Sequence, residues 1–464
     1  MPFLTRLRRP GARNAGVAAL TVALAVLLAA CGQDKYPDSI FHKRTDFNRD
    51  VDYLFKILIY AGTAVFIFVE GILVLTLIRF RRRPGQPEPK HVHGNTALEI
   101  TWTVIPLLIL MMIAIPTVRT IFKTQAAARS DALRVEVIGH QWWWEFRYPQ
   151  YTMAAPNGRV DTVVTANELY LPIGRTVNFT LKSNDVIHSF WVPALAGKRD
   201  VVSNHTNYLW YTPDSSGANV WNGACVEYCG TSHANMRFKA FTVTEADFNS
   251  WIAHQKTMAQ GTAPVPAPGA VPGAPGAVAQ NPAGAPPAGG APARATSSPA
   301  ANAAGVGVPA APGAAPVEVA QAGFVSFPRD KMPEHTIPQT PLPAGLAFDD
   351  NLLAHGDAAN GAKLMVGAGA CLACHKMYGN PMMVGVMGPN LTHIATRTTI
   401  AGGLFPNDAR HLARWIKNAA VMKPGVAMLT FGANEYDPVR KTTVKPGLTD
   451  QQIADIVAYL QSLK

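Results

Sequence analysis

Four of the five cysteines in the chain lie in two closely spaced pairs, and both pairs are followed by side chains that bind metals. Cys225 and Cys229 belong to the segment CVEYCGTSHANM, which also contains His233 and Met236. Thiolate, imidazole and thioether groups are the ligands that copper prefers. Two thiolates this close together can bridge two metal ions, and bridging keeps them from pairing as a disulfide. The segment therefore predicts a copper site suited to electron transfer.

Two other interpretations of the Cys225–Cys229 pair are a disulfide that closes a short loop and a mononuclear zinc site. A disulfide would leave His233 and Met236 without a role, and zinc has little use for a thioether. The copper site needs one more ligand from elsewhere in the chain. His188, at the end of a β-type run, is the candidate, although an isolated histidine in such a position is more often structural.

The other cysteine pair is part of the motif Cys371-x-x-Cys374-His375, which is the attachment pattern of a c-type haem. In that pattern two thioether bonds fix the porphyrin and the histidine ligates the iron. A zinc site would need further ligands, and no cysteine remains to supply them. The adjacent histidine and the lack of a βαβ pattern disfavour a redox-active dithiol. With two redox centres on one chain, electron transfer is the leading hypothesis.

Residues 1–30 have a basic start, an apolar stretch and small side chains before Cys31. This pattern predicts a signal peptide that ends at a lipoprotein-type cleavage site, with Cys31 as the lipidated residue. The alternative is an ordinary signal peptide followed by an incidental cysteine. Residues 31–50 are then expected to form a periplasmic segment on the outer side of a bacterial inner membrane.

Two apolar stretches, residues 54–78 and 100–118, are each long enough to cross a bilayer, which needs about 20 apolar residues. They predict a transmembrane hairpin over residues 51–123. The loop between them is basic, so the positive-inside rule places it in the cytoplasm and the rest of the chain outside. Much of the net charge of +11 lies in basic clusters beside apolar runs. Without a basic helix or an aromatic-basic repeat, this charge does not indicate nucleic-acid binding.

Three regions of different composition follow the hairpin. Residues 130–255 contain short alternating apolar runs between Gly and Pro turns, which predicts an all-β sandwich or barrel. Residues 258–345 are dominated by Ala, Pro and Gly and predict a flexible linker, which would let the flanking domains meet without a tight interface. Residues 350–464 return to helical patterns, with a capping box at Thr449 and Gln452, and predict an all-α domain.

The copper segment, the upstream segment DVIH that ends at His188, and the segment GHQWWW resemble subunit II of haem–copper cytochrome c oxidases over residues 45–255. The resemblance implies a cupredoxin-like sandwich that holds a dinuclear copper A centre bridged by the two cysteines. The implied ligands are His188, Cys225, Cys229, His233 and Met236 through their side chains, and Glu227 through its backbone carbonyl.

The same resemblance gives roles to three further side chains. The Glu227 carboxylate is expected to reach a magnesium or manganese ion shared with subunit I. Trp142 matches an exposed aromatic residue at the electron-entry patch, and the alternative is a core tryptophan. Glu99 matches a carboxylate near the mouth of a proton channel in subunit I, and the alternative is an ordinary charge at the cytoplasmic membrane face.

Residues 350–464 resemble class I cytochromes c. The resemblance implies that Met428 is the sixth iron ligand, with Met422 as the alternative, and that the Pro389 carbonyl orients His375. Trp415 is expected beside a haem propionate, and the alternative is simple core packing. The family usually has proline after the methionine ligand, whereas this chain has Leu429.

Together the two resemblances imply subunit II of a caa3-type cytochrome c oxidase, which accepts electrons at haem c and passes them through copper A to the oxygen-reducing, proton-pumping subunit I. Its expected partners are subunits I and III and a donor such as a bc-type complex or a soluble cytochrome c. One rival is a nitric oxide reductase component with a copper A domain. Another is a copper-carrying lipoprotein without an enzyme partner, which the hairpin and Glu99 disfavour.

Overall fold

The computed structural model describes residues 21–22, 38–88, 93–125, 130–154, 160–214, 219–258 and 327–464. All elements named below belong to one unit, formed by Met1–Val265 and Phe324–Lys464. The second unit, Pro266–Gly323, lies outside the described residues. So do Cys31, most of the predicted signal peptide and most of the predicted linker, and those predictions therefore stand as made.

Two long helices come first, α1 over Asp46–Arg79 and α2 over Thr96–Gln125, and they pack against each other. Both are long and apolar enough to cross a membrane. Their apolar side chains are mostly exposed, which suits a lipid environment. The α1 helix begins before residue 51, where the hairpin was predicted to start, because the Thr45 side chain caps it by accepting a hydrogen bond from Asn48 N.

The first turn of α1 is bound directly to the β domain. The Asn48 side chain donates to the backbone oxygen of Pro193 over 2.9 Å, and Asp46 accepts a hydrogen bond from Thr212 N over 2.8 Å. These contacts join the start of the helical hairpin directly to the sandwich.

Ten strands are described between residues 133 and 243, and they form two five-stranded sheets. They are β1 Leu133–His140, β2 Trp143–Ala154, β3 Val160–Ala166, β4 Glu168–Pro172, β5 Val177–Ser183, β6 His188–Trp191, β7 Arg199–Val201, β8 Asn207–Tyr211, β9 Asn219–Cys225 and β10 Arg237–Val243. The strand orders are β3-β2-β1-β5-β8 and β4-β10-β9-β6-β7. The pairs β1–β5 and β4–β10 are parallel, and the others are antiparallel.

The core of this domain is rich in aromatic rings contributed by both sheets. Trp144 lies 5.8 Å from Phe190 and 5.7 Å from Phe238 between ring centroids, and all three residues are buried. Alternating apolar residues on the strands supply this core, and the prediction of a cupredoxin-like all-β sandwich is confirmed. Helix α3, Glu245–Gln255, then packs Phe248 and Trp251 against the buried Tyr148.

Part of the predicted linker is ordered against the sandwich. Phe327 lies 5.5 Å from Phe241 between ring centroids, and Met332 is buried in the same core. Two short 3-10 helices, Arg329–Lys331 and Glu334–Thr336, follow Phe327. The prediction of a flexible linker up to residue 345 is therefore wrong for residues 327–345, where a few apolar anchors offset the ordering entropy that the Pro-rich composition suggested.

The C-terminal domain is mainly helical. Its helices are α4 Ala358–Val366, α5 Ala409–Lys417, α6 Ala419–Met422 and α7 Asp450–Ser462, with 3-10 helices at Asp350–His355, Cys371–Ala373 and Ile394–Thr396. Two small hairpins pair β11 Thr399–Ile400 with β12 Phe405–Pro406, and β13 Tyr436–Asp437 with β14 Thr442–Thr443. The predicted capping box at Thr449 and Gln452 is confirmed, and α7 buries its apolar face against α4 and α5.

The C-terminal domain and the sandwich share a close, polar interface. The buried Glu168 of β4 accepts hydrogen bonds from Thr398 N and Thr398 Oγ1, both over 2.6 Å. Asp161 of β3 accepts from Tyr378 Oη over 2.6 Å and from Lys376 Nζ. The expectation of a loose contact between the two domains is therefore wrong.

His393 makes the stability of this interface dependent on pH. Its ring lies 4.4 Å from that of His254 on α3, and Nε2 donates to Thr257 O over 3.2 Å. Burial, with smaller contributions from His254 and Arg397, lowers the pKa of His393 to about 4. The folded chain therefore binds fewer protons than the unfolded chain between that value and the ordinary histidine pKa of about 6.5.

We expect the free energy of unfolding to be highest above about pH 6.5 and to fall by up to about 3 kcal/mol as the pH drops towards 4. Thermal unfolding of the detergent-solubilised chain at a series of pH values measures this. His393→Gln should make the pH dependence smaller, whereas His355→Gln, at an exposed position in the same domain, should leave it as in the parent. Equal pH dependence in the parent and in His393→Gln would contradict this account.

Candidate functional site

The six expected copper ligands meet at one end of the sandwich. Cys225 is the last residue of β9, and the loop that follows it, before β10 begins at Arg237, carries four more of them. His188 begins β6, which pairs with β9 through Phe190 and Cys225. The sheet therefore fixes the position of His188 relative to the loop.

The ligand atoms lie close together, and their donor types fit copper. The two cysteine sulfurs are 3.8 Å apart, which is too long for a disulfide bond of about 2.05 Å. The other separations are Cys225 Sγ to His188 Nδ1, 3.9 Å; Cys225 Sγ to Glu227 O, 3.2 Å; Cys229 Sγ to His233 Nδ1, 3.6 Å; and Cys229 Sγ to Met236 Sδ, 3.9 Å. Two thiolates flanked by imidazole, thioether and carbonyl groups can hold two copper ions.

The two thiols influence each other's protonation. The hydrogen bond with Cys229 is the main cause that lowers the pKa of Cys225, and the same bond raises the pKa of Cys229. The metal-free pair therefore loses one proton readily and holds the other, which metal binding must displace.

Asp185 orients the histidine ligand, a role that the sequence reasoning missed. Its Oδ1 lies 2.8 Å from His188 Nε2, which leaves Nδ1 directed at the cysteine. Its other oxygen accepts a hydrogen bond from Gln141 N over 2.7 Å. Gly139 backs the ring so closely that a Cβ there would lie 2.6 Å from His188 Cδ2. The signal was present in the segment DVIH, in which the aspartate precedes the histidine by three residues.

A mostly apolar cavity in the C-terminal domain is lined by the residues expected to hold the haem: Cys371, Cys374, His375, Pro389, Trp415 and Met428. His375 Nδ1 lies 2.8 Å from Pro389 O. Because a carbonyl can only accept a hydrogen bond, Nδ1 carries the proton and Nε2 is left to ligate iron. Burial lowers the pKa of His375, which favours this neutral form.

Arg397 is a cavity residue that the sequence reasoning did not find. It lines the haem cavity and donates to Asn390 O. Burial lowers the pKa of its guanidinium to about 10, so it remains a cation at neutral pH. A half-buried cation beside the cavity suits the propionates of a haem. Its sequence neighbourhood, ATRTT, carries no pattern that would have singled it out.

The cavity also touches the sandwich domain. Gln141, Trp142 and Trp143 contribute to its wall. Trp142 is buried, with 8% of its surface exposed, and its indole Nε1 donates to Cys229 O over 2.9 Å. The expectation that Trp142 is exposed is therefore wrong: it belongs to the buried core cluster of the sandwich, as the core-tryptophan alternative expected, and Gly425 of the C-terminal domain lies against its ring. This one side chain contacts the copper loop and borders the haem cavity.

Known families match most of the described chain. Cytochrome C oxidase subunit II, transmembrane domain, matches residues 44–120; the periplasmic domain of the same subunit matches residues 133–243; and Cytochrome c matches residues 358–464. Probable cytochrome c oxidase subunit 2 of Rickettsia bellii is 34% identical over 213 residues, which cover 44% of this chain and 78% of that protein. The chain belongs to the cytochrome c oxidase subunit II family.

Two further similarities concern parts of this subunit II chain. Cytochrome c oxidase subunit 2 of Alkalihalophilus pseudofirmus is 41% identical over 194 residues, which cover 40% of this chain and 53% of that protein. The chain thus spans about half the length of that relative. A solved structure, the periplasmic domain of subunit II of cytochrome oxidase of Bradyrhizobium japonicum, has 26% identity and a TM-score of 0.24, and the match covers 28% of this chain and 97% of that one.

The chain matches the periplasmic domain of subunit II and the cytochrome c family, and these matches imply copper A and haem c as cofactors. Two carboxylates of the expected site residues are exposed. Glu99 is exposed in the first turn of α2, and the Glu227 side chain is exposed beside the buried Cys225. Their expected roles in proton uptake and in binding magnesium or manganese remain predictions.

Met428→His in subunit II should lower the haem reduction potential and remove the weak far-red absorption band of methionine-ligated ferric haem, because a thioether favours ferrous iron. Met428 lines the cavity, whereas Met422 is buried in the core and is not among the cavity residues. Optical spectra of the two variants test this. Loss of the band in Met422→His and its survival in Met428→His would show that the ligand is Met422.

Proposed function

We propose that this chain is the electron-accepting subunit of a caa3-type cytochrome c oxidase, which takes electrons from an external donor at haem c and delivers them through copper A to subunit I. The observation that carries the proposal is the position of Trp142, which borders the haem cavity and donates a hydrogen bond to the backbone of Cys229. When bound, haem c and copper A each take up and release single electrons.

The residues of the copper loop hold their site rigid. The buried Cys225, Cys229 and Met236 exclude water, and Asp185 fixes the direction of His188. A closed site with few mobile ligands changes little in geometry when its charge changes, so little reorganisation opposes electron transfer. The two cysteines would hold both copper ions, and His188, His233, Met236 and the Glu227 carbonyl would supply the remaining ligands.

The residues of the haem cavity serve a matching purpose. Cys371 and Cys374 are free thiols at the cavity wall, available for thioether bonds. Pro389 O holds the Nδ1–H of His375 and so keeps the ring oriented. Met428, which lines the same cavity, would supply the second protein ligand to the iron. Trp415 lines the cavity and packs against the core, so both interpretations of this residue fit its position.

The outward-facing acidic residues point to the other subunits. The exposed Glu227 carboxylate can reach a magnesium or manganese ion shared with subunit I, and Glu99 at the start of α2 can gather protons near the mouth of a channel there. We place subunits I and III around the hairpin in a bacterial inner membrane, with both redox domains on the periplasmic side. The donor is a bc-type complex or a soluble cytochrome c.

Purification in mild detergent separates this proposal from its rivals. A polytopic partner that contains haem a and consumes oxygen when supplied with reduced cytochrome c is the expected result. A partner that reduces nitric oxide instead would support the nitric oxide reductase alternative. A chain that purifies without any polytopic partner would support a copper-carrying lipoprotein and would contradict the oxidase assignment.

A further inference from the structure

Lys423 is a fully buried lysine placed between the two redox sites. Only 2% of its surface is exposed, although it lies in a loop of the C-terminal domain five residues before Met428. Its Nζ donates to the backbone oxygen of Trp142 over 2.6 Å and to that of Ala401 over 3.0 Å. It thereby joins the distal loop of the haem domain to the tryptophan of the copper domain.

The two residues after Lys423 contact the same part of the sandwich. The hydroxyl of Ser232 donates to Pro424 O, one residue before the ligand His233. Gly425 has a φ of +82° and lies so close to Trp142 that a Cβ there would be 2.9 Å from its ring. Three consecutive residues, Lys423, Pro424 and Gly425, thus contact Trp142 and the copper loop.

The Trp142 residue is held from two sides as a result. Its indole nitrogen is bonded to Cys229 O and its carbonyl to Lys423 Nζ. Burial lowers the pKa of Lys423 to about 7, but an amine and an ammonium both have enough N–H groups for two carbonyl acceptors. The two hydrogen bonds of Lys423 therefore do not require its amino group to be charged.

We propose that Lys423 is a positioning residue that locks the haem domain onto the copper domain and fixes Trp142 between the two centres. The effect on electron transfer rests on the proposed function, whereas the docking of the two domains concerns the protein chain alone. It replaces a freely moving tethered domain by one docked pose, so each transfer starts from the same geometry without a search.

Lys423→Met in the complete oxidase tests the lock. Methionine has similar length and no donor, so two buried carbonyls lose their partner and the undocked fraction should rise about tenfold. Pulsed electron paramagnetic resonance between oxidised copper A and ferric haem c should show a broadened distance distribution. After photochemical injection of an electron into haem c, the fast phase of copper A reduction should lose amplitude.

Lys417→Met is the matched control. Lys417 is a buried lysine in the same domain whose Nζ donates to Ala347 O over 2.7 Å and to Asp450 over 2.8 Å, both inside that domain. This variant should keep the parent distance distribution. Lys423→Ala should behave like Lys423→Met, and added propylammonium, which replaces the missing side chain, should restore the narrow distribution.

A parent-like distribution in Lys423→Met, or equal broadening in Lys417→Met, would overturn the proposal. If Lys423→Met does not assemble, Lys423→Ala can be purified in the presence of propylammonium. The distance distribution measured after the amine is removed then tests the proposal. Absence of any haem-to-copper transfer in the parent enzyme would refute the proposed function, whereas the distance measurement would still decide the role of Lys423.

Discussion

Cys229→Ser should abolish the mixed-valence electron paramagnetic resonance spectrum of the dinuclear copper centre and leave the absorption of haem c intact. The Cys229 sulfur lies within 3.9 Å of the sulfurs of Cys225 and Met236 and of the Nδ1 of His233. A serine oxygen is a hard donor and cannot share a bridging role with the remaining thiolate as sulfur does. The haem domain has its own core, so its cofactor should be retained.

Cys371→Ser is the reciprocal control for this variant. It should remove one thioether bond to the haem and leave the copper spectrum unchanged, because Cys371 lines the haem cavity and is not a copper ligand. A mixed-valence copper spectrum that survives Cys229→Ser would refute the assignment of Cys229 as a bridging ligand. Loss of both centres in both variants would instead show that the two domains fold as one cooperative unit.

Deleting residues 340–464 should abolish oxidation of the natural donor while copper A remains reducible by small artificial donors. The cut keeps Phe327 and Met332, which pack on the sandwich, and removes the whole haem domain. It also uncovers Trp142, so small reductants gain access. Without the covalent link, docking of the haem domain depends on its concentration. The separately produced domain can still bind through Glu168 and Asp161, so it should restore the rate with a saturable dependence on its concentration.

The matched control for the deletion is the full-length Met428→His oxidase, which keeps the docked domain and alters only the haem ligation. It should slow donor oxidation without exposing Trp142 to artificial donors. Full-rate oxidation of the natural donor by the truncated oxidase would show that electrons enter at the copper domain directly. The proposed order of transfer would then be wrong.

The two metal-binding motifs could be predicted from the sequence because their ligands are close in the chain and chemically distinctive. Cys225, Cys229 and Met236 needed only the geometry of one loop, and the haem motif spans five residues. The sandwich followed from apolar alternation and the hairpin from length and hydropathy. In each case the residues that form the feature are close together in the chain, so the feature can be predicted from a single sequence.

The interface between the domains could not be predicted in the same way. Glu168 and Thr398 are 230 residues apart in the chain, and neither lies in a recognisable motif. Lys423 looks like an ordinary surface lysine in a loop, and only the packed structure shows that its surface is covered. The composition of the linker suggested free motion, whereas a few polar contacts with specific geometry determine the docking.

Rapid mixing of the reduced donor with the complete, oxidised oxidase tests the central claim most directly. Absorption of haem c and of the near-infrared band of copper A is followed in the same experiment. The account predicts that haem c is reduced first, at a rate that rises with donor concentration, and that copper A follows at a rate independent of donor concentration. Reduction of copper A before haem c, at a rate that rises with donor concentration, would contradict it.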